Sequence, residues 1–114
     1  MAQRQRTEPQ VSVVLVNYNG AEHIEGCVGS LLADPDAPAI EILIVDNDSR
    51  DESPAIAERL AAEHSAVRLL RSGSNRGYAG GVNVGLAEAR GRFLAVLNMD
   101  MEVEPGWLRP LLAE

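Results

Sequence analysis

The sequence predicts an α/β domain: a Rossmann-like, mostly parallel sheet with helices on both faces. Three observations predict it. Four short apolar runs, Val11–Val16, Ile40–Val45, Val67–Leu70 and Phe93–Leu97, alternate with stretches of helical periodicity. Strands joined through helices take right-handed crossovers and lie parallel. Three of the runs break abruptly into polar clusters: Asn17-Tyr18-Asn19, Asp46-Asn47-Asp48 and Asn98-Met99-Asp100. In a parallel sheet those three ends share one edge, where open α/β sheets hold their ligands.

The elements follow in order. Residues 1–9 are polar, end at Pro9 and read as a disordered leader, so the domain spans 10–114. Val11–Val16 is β-branched and closes in Asn17-Tyr18-Asn19-Gly20, a turn signal. From Ala21 to Ala33, Ile24, Cys27, Val28, Leu31 and Leu32 recur at helical spacing, and Asp34-Pro35-Asp36-Ala37-Pro38 stops that helix. Ile40–Val45 is the second strand. The acidic and hydroxyl residues after it are suited to capping a helix from Ser53 to His64, with Ile56, Leu60 and Ala61 inward and Pro54 in its first turn. Val67–Leu70 is a short third strand near an edge. A small-residue helix is expected from Ala79 to Arg90, ended by Gly91, with the fourth strand from Arg92. The unbroken apolar run in that strand suits burial on both faces. Pro105-Gly106 opens a last helix, Trp107 to Ala113. No repeat, linker or second domain is evident.

Composition narrows the function. The chain has 114 residues and a formal net charge of −7, which argues against nucleic-acid binding. An acidic protein still binds nucleotides when a metal bridges carboxylates to phosphates. All ten basic residues are arginine, which removes a P-loop lysine or a Schiff base. Cys27, the only cysteine, falls at an apolar helix position and reads as a buried thiol. There is no secretory signal and no run of membrane-spanning length, so the default location is cytoplasmic. His23 and His64 have no partner at metal-ligand spacing, and Ser12 reads as a packed hydroxyl.

The chemistry concentrates at the strand ends. Asp100 is expected to be a metal-binding carboxylate and Asn98 a ribose or metal-shell partner; a solvated polar turn is the alternative for that stretch alone. Gly77-Tyr78-Ala79-Gly80-Gly81-Val82-Asn83-Val84-Gly85 fits no dinucleotide fingerprint. Its glycines disfavour a helix and need a reason. Either a phosphate approaches the helix start or the helix packs closely on the sheet; both fit. Arg76 is positioned for a diphosphate or for solvent. A nucleotide-sugar donor explains the set. A carboxylate beside a uracil or thymine accepts from its imide N–H, a tyrosine covers the ring, and Mg²⁺ or Mn²⁺ neutralises the diphosphate leaving group. Glu102 and Glu104 alternate with apolar residues and read as a solvated face.

These residues resemble the N-terminal half of inverting glycosyltransferase family 2, of GT-A fold, and within it a bacterial rhamnosyltransferase-like branch. The matching segments are Val11 to Asn19, Ile44-Val45-Asp46-Asn47-Asp48-Ser49 with Asp51, Asn75 to Asn83, and Leu97-Asn98-Met99-Asp100 running on to Leu108. The resemblance implies that Asn17, Tyr18 and Asn19 border the nucleotide and that Asp46 binds the base. It also implies that Asn75, Arg76, Gly77 and Asn83 line the nucleotide and diphosphate region. Asn98 and Asp100 would occupy the two acidic positions of the D-x-D motif, with Asp100 on Mg²⁺ or Mn²⁺. Asn98 departs from aspartate and brings no charge; Met99 departs from the proline often found there.

The implied reaction moves a sugar from a UDP- or dTDP-sugar to a glycan or lipid-linked acceptor, as in cell-wall or polysaccharide biosynthesis. Family members continue well past this point, and the catalytic base is expected beyond Glu114. The reading therefore expects a truncated product or gene fragment, inactive alone, prone to self-association through exposed apolar surface, and peripheral to the inner membrane face when full-length. Two alternatives stand: a non-catalytic nucleotide-binding or assembly domain, and a sugar-1-phosphate nucleotidyltransferase. The second wants a basic glycine-rich loop where this chain has Asn17-Tyr18-Asn19-Gly20.

Overall fold

The computed structural model describes residues 8–112. Most of the expected leader, residues 1–7, lies outside them, as do Ala113 and Glu114. The elements are β1 (Val11–Asn17), α1 (Ile24–Leu32), β2 (Ile40–Asp46), α2 (Ser53–Glu63), β3 (Val67–Arg71), α3 (Gly77–Glu88), β4 (Phe93–Asn98) and α4 (Arg109–Leu112). A 3₁₀ turn, Ala37–Ala39, leads into β2. The four strands form one sheet in the order β3-β2-β1-β4. Every pairing is parallel.

The side-chain alternation of the two central strands divides the core. Val11, Val13 and Leu15 of β1, with Ile40, Ile42 and Ile44 of β2, face Ile24, Cys27, Val28 and Leu31 of α1 and Ala57 and Leu60 of α2. The opposite face carries Val14, Leu43 and Val45, covered by Val84 of α3. Both faces of β1 and β2 are thus closed, which is why those strands read as continuous apolar runs. The glycines of α3 sit where the helix meets the sheet. A Cβ at Gly85 would lie 2.6 Å from a Val14 methyl, and one at Gly81 2.8 Å from a Val16 methyl. Close packing is therefore a reason for these two glycines.

Several boundaries move, and each shift has a physical cause. The chain turns through residues 21–23 before α1 begins at Ile24. α3 starts two residues before its expected start, at Gly77, whose φ of +74° suits glycine. It ends at Glu88 because Ala89 is extended, and the Arg90 N–H goes instead to the Glu41 carboxylate at 2.7 Å. The last helix is a single turn from Arg109, preceded by a bend at Pro105–Leu108. Trp107 packs partly buried against the main core, as an anchor should.

One expectation about burial fails. β4 is not enclosed on both faces. It is an edge strand, and its residues alternate between half-buried Phe93, Ala95 and Leu97 and exposed Leu94, Val96 and Asn98. α3 crosses over β1 and β2, so among the described residues nothing covers Leu94 (52% exposed) or Val96 (40%). An apolar run alone does not distinguish a central strand from an edge strand with one bare face. The other edge is different. β3 carries Arg68, paired with Glu88 at 2.9 Å, and Arg71, paired with Glu58. Charges of this kind discourage further strand addition. Among the described residues, no helix is long and apolar enough to cross a membrane.

Candidate functional site

The carboxyl ends of β1, β2 and β4 and the start of α3 meet at one edge of the sheet. The β1–α1 turn is built by Asn19, in the left-handed region at φ +56°, and by Gly20. A Cβ on Gly20 would lie 2.4 Å from Asn17 Oδ1 and 3.0 Å from Met99 Cγ, so only glycine lets Met99 close over the turn. This turn is stitched to the β2–α2 loop. Asn19 N donates to Ser49 Oγ (2.9 Å), Arg50 N to Asn19 Oδ1 (2.8 Å) and Ala21 N to Asp51 Oδ2 (3.1 Å). Asp51 also accepts from Ser53 N and from the Ser53 hydroxyl. It thereby ties Ser53, the first residue of α2, to the loop, while the N-cap residue Glu52 makes no side-chain cap bond. The hydroxyl bond foremost, with the Ser53 and Ala21 N–H groups, holds the Asp51 carboxyl below its ordinary range.

Asn17 and Asp46 are registered partners across β1 and β2. Both are buried, with Asn17 fully inaccessible. Asn17 Nδ2 donates to Asp46 Oδ1 (2.9 Å) and Ser53 Oγ (2.8 Å), with Ser49 Oγ at 3.2 Å. Asp46 Oδ2 accepts from Ser49 N at 3.1 Å. Asn17 Oδ1 is buried with no partner among the described residues. These two residues form the floor that holds the loops and do not line the cleft above.

Asn47 is the second structural tie. It is almost fully buried. Its Nδ2 donates to Gly77 O (3.0 Å), while its Oδ1 accepts from Arg76 N (3.1 Å) and the Ser72 hydroxyl (3.1 Å). The start of α3 is thereby hung from the end of β2. Asn75 Oδ1 adds a bond from Gly77 N at 2.9 Å.

Above this framework lies a cleft of about 540 Å³. Tyr18, Asn19, Asn75, Gly77, Asn98 and Asp100 line it, as the sequence expects of a common site. Its walls include two half-exposed rings, Tyr18 (49%) and Tyr78 (52%). Exposed aromatic faces of this kind suit a stacked base. Tyr78 Oη donates to Asn98 Oδ1 at 3.4 Å, joining the α3 start to the end of β4. Asp100 is exposed in the turn after β4 and is the one carboxylate lining the cleft among the described residues. Glu102 instead lies against α1, where a Cβ on Gly26 would come within 2.5 Å of its carboxylate. Cys27 is inaccessible, and its thiol is pushed up to about 11, first by burial and then by the Glu102 and Asp100 carboxylates. It is a core thiol, not a nucleophile.

Besides Asn17 and Asp46, two more expected residues are not brought to the cleft. Arg76 turns back so that its Nε donates to Ser72 O at 3.0 Å, and both Arg76 and Asn83 line a separate groove beside Leu69 and Leu70. Gly80 is required beside it, since a Cβ there would lie 2.6 Å from the Arg76 Cβ. Five residues outside the expected set also line the cleft, Val16, Gly20, His23, Asn47 and Met99, and Tyr78 joins them from the expected Gly77–Asn83 segment. His23 had a readable signal, lying one turn beyond Asn17-Tyr18-Asn19-Gly20.

The donor set suits a hard divalent cation only in one way. Among the described residues no three His, Cys, Asp or Glu side chains gather to hold a metal. One carboxylate, Asp100, is available, and Mg²⁺-type ions are commonly held by one or two carboxylates plus substrate phosphates. The residues fit a metal that arrives with a diphosphate.

Comparisons with known proteins agree with this geometry. The succinoglycan biosynthesis protein ExoO of Rhizobium meliloti is 38% identical over 104 residues, which cover 91% of this chain and 29% of that protein. The putative glycosyltransferase EpsH of Bacillus subtilis is 34% identical over 104 residues, 91% of this chain and 30% of that protein. Among solved structures, S. aureus TarS 1-349 superposes with a TM-score of 0.83 at 24% identity, covering 91% of this chain and 31% of that one. The mannosyltransferase PcManGT of Pyrobaculum calidifontis, in complex with GDP-Man and Mn²⁺, gives 0.75 at 28% identity, over 83% of this chain and 28% of that one. The chain thus spans less than a third of the length of these relatives. The profile of Glycosyl transferase family 2 matches residues 12–114, from the first strand through the Asn98–Asp100 corner, and the chain belongs to that family.

Proposed function

We propose that this chain is the donor-binding part of a metal-dependent glycosyltransferase that takes a UDP- or dTDP-sugar and serves a glycan or lipid-linked acceptor. One observation carries the reading: three strand ends and the α3 start converge on a single cleft with two exposed tyrosines at its walls and Asp100 at its rim. The TarS structures include complexes with UDP and UDP-GlcNAc, and PcManGT was solved with GDP-Man and Mn²⁺. These support a nucleoside-diphosphate sugar as the ligand class. The rhamnosyltransferase-like branch is the finer part of this proposal and is supported by the four segments named in the sequence, with Met99 departing from the branch pattern.

In this reading Tyr18 or Tyr78 covers the base. Asp46 acts mainly by fixing Asn17 and Ser49, and any contact it makes with the imide N–H uses lone pairs left over from those bonds. Asp100 holds Mg²⁺ or Mn²⁺, which neutralises charge on the departing diphosphate. Close approach to the cleft at Gly77 leaves room for the ligand beside the first turn of α3. The base that deprotonates the acceptor hydroxyl belongs to another part of the longer enzyme, so these 114 residues alone do not transfer sugar. Self-association through bare Leu94 and Val96 is part of the same proposal.

Calorimetric titration of the chain with UDP, dTDP and GDP, each with and without Mn²⁺, tests it. UDP or dTDP binds, and Asp100→Asn removes the increment that Mn²⁺ adds while leaving the fold intact by circular dichroism. Binding of neither UDP nor dTDP, whether or not GDP binds, would overturn the proposal.

A further inference from the structure

Resting on that donor-site reading, we infer that Tyr78 fixes the Asn98 amide so that it offers an N–H, not an oxygen, to the bound diphosphate. The chain then binds its ligand substantially without a metal.

Tyr78 is placed by backbone ties. Asn47 holds the carbonyl of Gly77 at 3.0 Å and the N–H of Arg76 at 3.1 Å, so the residue that follows has little freedom of position. Its ring stands half-exposed at the cleft wall. Its hydroxyl has one proton, and that proton goes to Asn98 Oδ1 at 3.4 Å. An amide whose oxygen accepts from a tyrosine turns its Nδ2 the other way. Asn98 lines the same cleft as Asp100, and its Nδ2 donates to no other group among the described residues. A carboxylate in place of Asn98 would repel an incoming diphosphate until a cation arrived. The amide instead donates to a phosphate oxygen directly, and hydrogen bonds to charged acceptors are the stronger kind. Among the described residues the cleft offers the anion no arginine, because Arg76 is turned to Ser72. Asn98 is thus the neutral group that receives the diphosphate, and Asp100 is left as the one cleft carboxylate among the described residues for a metal.

Tyr78 is a positioning residue, and metal dependence is the property that separates this role from a structural one. The experiment measures UDP and dTDP affinity in EDTA and in saturating Mn²⁺ for the wild type, Asn98→Asp, Asn98→Ala and Tyr78→Phe. The wild type binds in both media, with Mn²⁺ adding about tenfold or less. Asn98→Asp weakens binding in EDTA by about tenfold and enlarges the Mn²⁺ increment by a similar factor. Asn98→Ala weakens binding in EDTA without enlarging the increment. Tyr78→Phe does the same to a smaller extent, about threefold, since the ring that covers the cleft is retained. Unchanged affinity in EDTA for Asn98→Asp or for Tyr78→Phe, with nucleotide still bound, overturns the inference and leaves the donor site standing. A wild type that binds nothing in either medium overturns both.

Discussion

The two ends of the β1–β2 pair use the same device for different purposes. At the amino end, Ser12 faces its registered partner Glu41; at the carboxyl end, Asn17 faces Asp46. Each is a buried polar residue bonded to a buried carboxylate on the next strand: Ser12 Oγ to Glu41 Oε2 at 2.6 Å, and Asn17 Nδ2 to Asp46 Oδ1 at 2.9 Å. The amino end is fully hydrogen-bonded, although a cavity of about 550 Å³ lined by Glu41, Arg68 and Arg90 lies beside it. Glu41 also accepts from Arg90 N and lies 3.7 Å from the Arg68 guanidinium, while Ser12 Oγ accepts from Gly91 N. The carboxyl end leaves Asn17 Oδ1 without a partner and supports loops with two left-handed residues, Asn19 and Asp48. Polar burial at one end locks the crossover from α3 into β4. At the other it holds an open cleft in shape, and an incompletely satisfied network is tolerated there.

Asn17→Ala is the sharpest way to break this contrast. It removes three bonds at once and strips a donor from the buried Asp46 carboxylate, so the chain loses about 2–4 kcal/mol of stability in urea unfolding. Nucleotide binding falls with it. A loss below about 1 kcal/mol would mean that the carboxyl-end network is not what holds the loops.

Alkaline pH gives the next effect. The Cys27 thiol is raised from 9.0 to about 11, so the folded chain holds its proton where the unfolded chain releases it. Stability therefore declines between those values, by about 2–3 kcal/mol in all. Cys27→Ala flattens that segment of the stability–pH curve. The carboxylates that add to the shift, Glu102 and Asp100, belong to the open end, so Asp100→Asn reduces it slightly.

Ser12→Ala probes the amino end and costs less, about 1 kcal/mol, because Glu41 keeps Arg90 N and Arg68. Nucleotide affinity is unchanged. If this variant weakened nucleotide binding as Asn17→Ala does, the two ends would not be independent. The smallest effect is at acid pH. Asp51 titrates below its unfolded value, so its support for the β1–α1 loop is complete above that value and fades as pH falls through the folded one. Ser53→Ala, which removes the main cause, shifts that loss to higher pH in an acid-unfolding titration.

The sequence shows where the site is more clearly than which side chains form it. Polar residues at three strand ends must share an edge once the sheet is parallel, and helix-joined strands make it parallel. Tyr18, Asn98 and Asp100 were legible on that ground. Whether Asn17 and Asp46 face the cleft or each other depends on the β1–β2 register, which no local pattern encodes. Arg76 and Asn47 show the same limit at the start of α3. The arginine has the charge expected of a phosphate ligand, yet Asn47, with donor and acceptor together, takes the central place and Arg76 is turned aside. β4 was misread because its apolar run fits an interior strand, and only the order β3-β2-β1-β4 reveals it as an edge.

That edge has a consequence for how the sheet can grow. Phe93 N donates to Gln10 O of the segment entering β1, so the alternate residues Leu94, Val96 and Asn98 direct their backbone groups outward. The arginines of β3 discourage growth on the far side, which gives the sheet one extensible margin. A strand added along that margin runs beside the Asn98–Asp100 corner and delivers whatever lies at its end to the rim of the cleft. Enlarging the architecture and equipping the cleft with new chemistry are, in this topology, one and the same addition.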